Sequence, residues 1–137
     1  MPYPDITRAT QTIHNPADPR HFMRLKPVSR EITVMLGDTL LARTNRALRL
    51  VEVSSDVYDP AFYIPMVDVM ATLDQVPDRT THCPLKGDAV YFSVEGWQPA
   101  DAADYLAWSY RTTFDFAREL QGLLAFNPAH VSITESP

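Results

Sequence analysis

Cysteine is nearly absent from this chain of 137 residues: Cys83 stands alone, so no disulfide closes within the chain and no structural site of the paired CxxC type can form. Glycine is scarce as well. Its four residues, Gly37, Gly87, Gly96 and Gly122, are scattered, which excludes a glycine-rich phosphate cradle. No apolar run approaches the roughly 20 residues that cross a bilayer, and no basic-then-apolar signal segment opens the chain. A cytoplasmic protein with no membrane partner is the expectation. Positive charge is in deficit, 12 basic against 17 acidic residues and a net charge of −5, so nucleic acid is not expected as a partner. His14, His21, His82 and His130 show no HxxxH spacing, and the acid pairs Asp56/Asp59 and Asp101/Asp104 read as solvated turns. Neither a metal nor a cofactor is expected from them.

What is present is a folded composition, 45% hydrophobic and 21% charged residues, at a length suited to one domain. Twelve prolines suit short strands joined by proline-punctuated loops. The first 30 residues carry Arg8, Arg20, Arg24, Lys26 and Arg30 against Asp5 and Asp18, leaving the remainder strongly acidic. With four prolines and little periodicity, residues 1–24 are expected as an extended arm and residues 25–137 as the domain.

From Ile32 the pattern becomes that of strands. Ile32, Val34 and Leu36 alternate with Glu31, Thr33 and Met35, and Gly37-Asp38 links them to Leu40-Ala42 as a hairpin. Leu48–Val53 alternates again, Phe62–Ile64 is a short strand, and Pro65 opens one helical turn over Met66–Leu73. Asp74–Gly87 is polar, proline-bearing and aperiodic, and is expected as a loop. Ala89–Val94 and Tyr105–Tyr110 are strands, the latter with Leu106, Trp108 and Tyr110 on one face. A short helix is expected next, with Thr112 as cap, Phe114, Ala117 and Leu120 on one face and Gly122 as stop. Leu123–Phe126 and Val131–Ile133 finish the sheet. The fold class is therefore mainly antiparallel β, about eight short strands with one short helix near the C-terminus.

Reactive side chains concentrate in THCPLKGDAVYF, residues 81–92, which hold an imidazole, the thiol and an ammonium group. Pro84 biases Cys83 towards extended backbone, and Gly87 permits a tight turn before the next strand. A nucleophilic Cys83 needs a cationic or basic neighbour. His82 is adjacent in sequence, but successive residues of an extended segment point to opposite sides, which makes Lys86 the better neighbour. The packed alternative is a buried Cys83, a structural His82 and a solvated Lys86. Tyr63, Tyr91, Trp108 and Tyr110 lie on separate strands that end near polar loops, either filling the core or lining a pocket with Arg46 as an anion anchor.

The order Arg46-Ala47-Leu48, Tyr63-Ile64-Pro65 with Asp68-Val69, THCPLKGDAVYF, Ala107-Trp108-Ser109-Tyr110 and Gly122–Phe126 resembles the bacterial family of domain of unknown function 427, from about Arg24 to Ile133. The resemblance implies a β-tent arrangement, two antiparallel sheets leaning together. Other tent-like domains hold zinc through paired CxxC knuckles, and this chain departs from them. The family usually has tyrosine after the HCP triplet, where this chain has Leu85. It is sometimes labelled nucleotidyltransferase, a label that no phosphate cradle or magnesium-binding acid pair supports here.

Taken together, the expectation is a domain that binds a small anionic or planar ligand, or a partner, through a pocket formed by Arg46, Tyr63, His82, Cys83, Lys86, Trp108 and Tyr110, with no metal. The alternative is an enzyme in which Cys83 or His82 is catalytic. A homo-oligomer is left open.

Overall fold

Period-two alternation of apolar residues accounts for most of the architecture. In the computed structural model, which describes residues 12–137, the strands are β1 (Ile13–Asn15), β2 (Asp18–Pro27), β3 (Ile32–Leu36), β4 (Thr39–Thr44), β5 (Leu48–Val53) and β6 (Ala61–Tyr63), followed by β7 (Leu73–Cys83), β8 (Gly87–Val94), β9 (Ala107–Thr113), β10 (Leu124–Phe126) and β11 (Ser132–Glu135). They form three antiparallel sheets in the orders β1-β2-β5-β6, β10-β9-β8-β7 and β11-β3-β4. The mainly antiparallel β class is as expected, with three sheets instead of two.

The β10-β9-β8-β7 sheet is covered on both faces. Val90, Phe92 and Val94 of β8 and Ala107 of β9 join Ile32, Val34, Leu41 and Ala42 of the β3-β4 hairpin in one buried cluster. Ala89 of β8, Tyr110 of β9 and Ala125 of β10 join Met23, Leu50 and Tyr63 of the β1-β2-β5-β6 sheet in a second. Side chains along β8 and β9 alternate between the two clusters, as a strand buried on both faces requires. The Met66–Asp68 segment is a single 3₁₀ turn.

Three elements differ from the sequence expectation. Residues 13–27, expected mostly as an arm, are β1 and β2, and β2 pairs with β5 from Phe22↔Val53 to Pro27↔Leu48, while residues 1–11 of that arm lie outside the described residues. Asp74–Cys83 is not a loop but most of β7, an 11-residue edge strand. Pro77 and Asp78, at φ 57°, lie in a break of register between Gln75 and Thr80, and an edge strand tolerates both proline and a bulge. Its polar composition and that break hid the alternation. The helix before Gly122 is 3₁₀, Asp115–Leu120, kinked at Ala117 and without a side-chain cap, because β9 runs on through Thr113. The three-residue spacing of Phe114, Ala117 and Leu120 is the period of a 3₁₀ helix, and Ala117 and Leu120 are the buried positions.

Candidate functional site

The HCPLKG segment is the turn of the β7–β8 hairpin, closed by the pair Cys83↔Gly87. Gly87 sits at φ 130°, and a Cβ there would stand 2.2 Å from the carbonyl oxygen of Thr112, so this backbone admits no other residue without movement. The turn carries Leu85 and Lys86 inward. Leu85 is fully buried, so the position where the family usually has tyrosine is core here. Lys86, 6% exposed, donates from Nζ to Oε1 of Glu52 on β5 and lies 5.5 Å from the centre of the Tyr110 ring.

Glu52 is held from a second side. The Oδ1 of Asn15 accepts the backbone N–H of Ala17 at 2.9 Å, which turns the amide Nδ2 towards Nδ1 of His21 at 3.3 Å. Nδ1 is therefore an acceptor, and the ring proton stands on Nε2, which donates to Oε2 of Glu52 at 2.8 Å. Asn15, His21, Glu52 and Lys86 are all buried, and they form one continuous chain of hydrogen bonds across β1, β2, β5 and the β7–β8 turn. Cys83 joins its edge, with ligand atoms of His21, Glu52 and Cys83 within 4.8 Å of one another. Metal ligation at Nε2 would have to displace its proton and reverse the Asn15 contact, and the Lys86 ammonium already occupies the carboxylate. The donor set fits a hydrogen-bonded network better than an ion.

Above Glu52 and Lys86 opens a cleft of about 410 Å³ whose walls are largely aromatic: Tyr63, Tyr91, Tyr105, Trp108 and Tyr110. Trp108 stands at 85° to both Tyr63 and Tyr105, and its Nε1–H donates to the Tyr63 hydroxyl at 3.1 Å. The walls therefore meet at right-angled corners. Arg79 of β7 packs against Tyr91 and Tyr105 at 4.9 and 4.6 Å from their centres, which fixes the outer pair of rings. Burial pushes the phenols of Tyr63 and Tyr110 well above their ordinary range, so both remain neutral. The charged residues lining the cleft are Glu52, Lys86 and the rim residue Asp59.

Tyr63, Lys86, Trp108 and Tyr110 thus converge as the sequence suggested. Cys83 lies beside the network beneath the cleft. His82 and Arg46 do not join. His82 is exposed, bonded through Nδ1 to Asp88 at 2.7 Å and packed edge-on to Phe114, because alternation along β7 turns it away from Cys83. Arg46 lies at a separate, shallow polar depression, where its guanidinium spans both carboxylate oxygens of Asp68 at 2.9 and 3.1 Å. An anion anchor at Arg46 is thereby corrected. Asp68 itself is held below the ordinary carboxylate range by the Thr44 hydroxyl and then by Arg46.

Glu52, His21 and Asn15 were missed. The signal for Glu52 was present in the alternation of Leu48, Leu50 and Glu52, which puts a carboxylate on the apolar face of a strand. His21 shares such a face with Met23 and Leu25, inside a stretch whose prolines masked the period.

No curated protein matches the sequence. The family model described as domain of unknown function (DUF427) matches residues 24–136, a span that holds the whole cleft and the β7–β8 turn, and the chain belongs to that family.

Proposed function

We propose that the protein binds a small planar ligand in the cleft between Trp108, Tyr63 and Tyr110, over the Glu52–Lys86 pair. The observation that carries this reading is the perpendicular aromatic corner at Trp108 above a buried ion pair, in a cleft of about 410 Å³. That volume lies in the range of small-molecule sites, roughly 300–1,000 Å³, and flat rings stack well on such walls. Arg46 is engaged elsewhere, and Lys86 is neutralised by Glu52. The charge balance therefore favours a neutral ring over an anion. The test is titration of quinoline, a flat neutral probe, followed through the indole N–H signals of the labelled protein. Saturable movement of the Trp108 signal with Trp97 unchanged is expected, and loss of binding in Trp108→Ala. The absence of a saturable shift, both at millimolar quinoline and with oxygen-bearing analogues of the same ring, would overturn the reading.

A second reading, an enzyme with Cys83 as nucleophile, is favoured by the approach of Cys83 to His21 and Glu52. His21 supports it poorly as base, because Nδ1 accepts from Asn15 and Nε2 holds the proton. Iodoacetamide alkylation of the folded protein, with its single thiol, separates the two. A rate already at its plateau by pH 7 would favour the enzyme, and a rate still rising above pH 8, as for an ordinary thiol, would favour the binding domain.

A further inference from the structure

The hydrogen-bonding capacity left over at the floor of the cleft specifies more than a flat shape. The Lys86 ammonium has three N–H donors, and Glu52 takes one of them. Among the described residues no other hydrogen-bond acceptor meets Nζ, although the side chain is more than nine-tenths buried and lines the cleft. Glu52 in turn accepts one bond on each oxygen, from Lys86 and from His21, which leaves a lone pair on each. A buried donor or acceptor left without a partner is unfavourable. A ligand that satisfied both kinds at once would remove that cost.

We propose that the cleft takes a ring amide, a flat ring presenting a carbonyl beside an N–H on one edge, with the carbonyl on Lys86 Nζ and the N–H on Glu52 Oε1. This rests on the cleft being a ligand site. Nζ and Oε1 are bonded to each other, so the donor and the acceptor are neighbours on the floor of the cleft. The oxygen and nitrogen of an amide lie about 2.3 Å apart by standard bond lengths, so one such edge faces both neighbours at once, its carbonyl towards a free N–H of Lys86 and its N–H towards the free lone pair of Glu52. An anion would meet Glu52 at the same edge, and a cation would meet Lys86. A mixed edge suits both without a net charge.

The rest of the network serves this pair. Because Asn15 donates to Nδ1, His21 presents Nε2–H to Glu52 and keeps the carboxylate an acceptor with its plane fixed. His21 and Asn15 are positioning residues, one and two hydrogen bonds behind Glu52. Lys86 sits on the Tyr110 face, so the ammonium cannot swing out without losing that contact as well. The aromatic walls take the ring, and the floor reads its edge.

Three probes of nearly one shape test this on the full chain by the same indole titration: quinoline, with no amide; 2-quinolone, a ring amide; and N-methyl-2-quinolone, which keeps the carbonyl and loses the N–H. We expect 2-quinolone to bind at least tenfold more tightly than either of the others, and Glu52→Gln to reduce that preference to about twofold. Equal affinity of all three would overturn the ring-amide edge and leave the planar-ligand reading standing. Failure of all three to bind would overturn both. Should Glu52→Gln fail to fold, Lys86→Met is the second variant, with loss of the 2-quinolone preference expected and its retention overturning the inference. The probe series on the native chain decides in either case.

Discussion

At Glu52 a single side chain answers to two demands, since its carboxylate offsets the buried Lys86 charge and anchors His21 from β2. Removing one partner of a buried pair strands the other charge, at about 3–5 kcal/mol. Glu52→Ala is therefore expected to lose about that much in urea unfolding, whereas Glu52→Leu with Lys86→Met, which removes both charges, should lose markedly less. A double variant as unstable as the single one would mean that the His21 bond, not the ion pair, carries the cost. The two buried phenols make a separate case. Folding raises the pKa of Tyr63 and Tyr110 by burial, so the folded chain keeps protons that the unfolded chain releases above about pH 10. Stability is full below that pH and falls above it, by up to about 1.4 kcal/mol per pH unit for each tyrosine. An ultraviolet titration at alkaline pH should show both ionising only as the protein unfolds, and Tyr63→Phe should make the alkaline limb shallower.

The β7–β8 hairpin is where local chemistry and the site coincide. A proline, a buried leucine, a buried lysine and a glycine at φ 130° occupy one tight turn, and the glycine lies against Thr112 of β9. Gly87→Ala is expected to cost at least about 2 kcal/mol, from backbone strain and the contact with the Thr112 carbonyl, and to loosen ligand binding by displacing Lys86. A thermal melt within 1 °C of the native chain would refute this tight approach. Around the hairpin, strand periods were plain where one face is apolar, as in β3, β5, β8 and β9. They were obscured where the strand is an edge. In β7, Pro77 and Asp78 interrupt the pairing and polar residues face outward on both sides of the break, so no period-two signal survives for Asp74–Cys83. The 3₁₀ helix after β9 was legible in its spacing of three, while its length leaves too few residues for a turn-by-turn α pattern.

Over the whole molecule the β1-β2-β5-β6 sheet supplies the far wall of the cleft, through Tyr63 and Glu52, and the His21 brace behind it. Met23 is completely buried between sheets, although the family match begins only at residue 24. A chain lacking residues 1–27 loses β1, β2, Met23 and His21 together, and we expect it to show no cooperative unfolding transition. A cooperative melt with near-native amplitude would make β1 and β2 dispensable. Between chain pattern and tertiary assembly the division is physical. Alternation and turn chemistry were enough for the mainly antiparallel β class and for a tight turn at Gly87, because those depend on neighbours within a few residues. Which cation entered the cleft depended on contacts between segments far apart in the chain. Arg46 found Asp68 and Lys86 found Glu52, His82 turned outward while His21 came in from β2, and only the packing of the sheets, which sets where each strand face points, could choose between them.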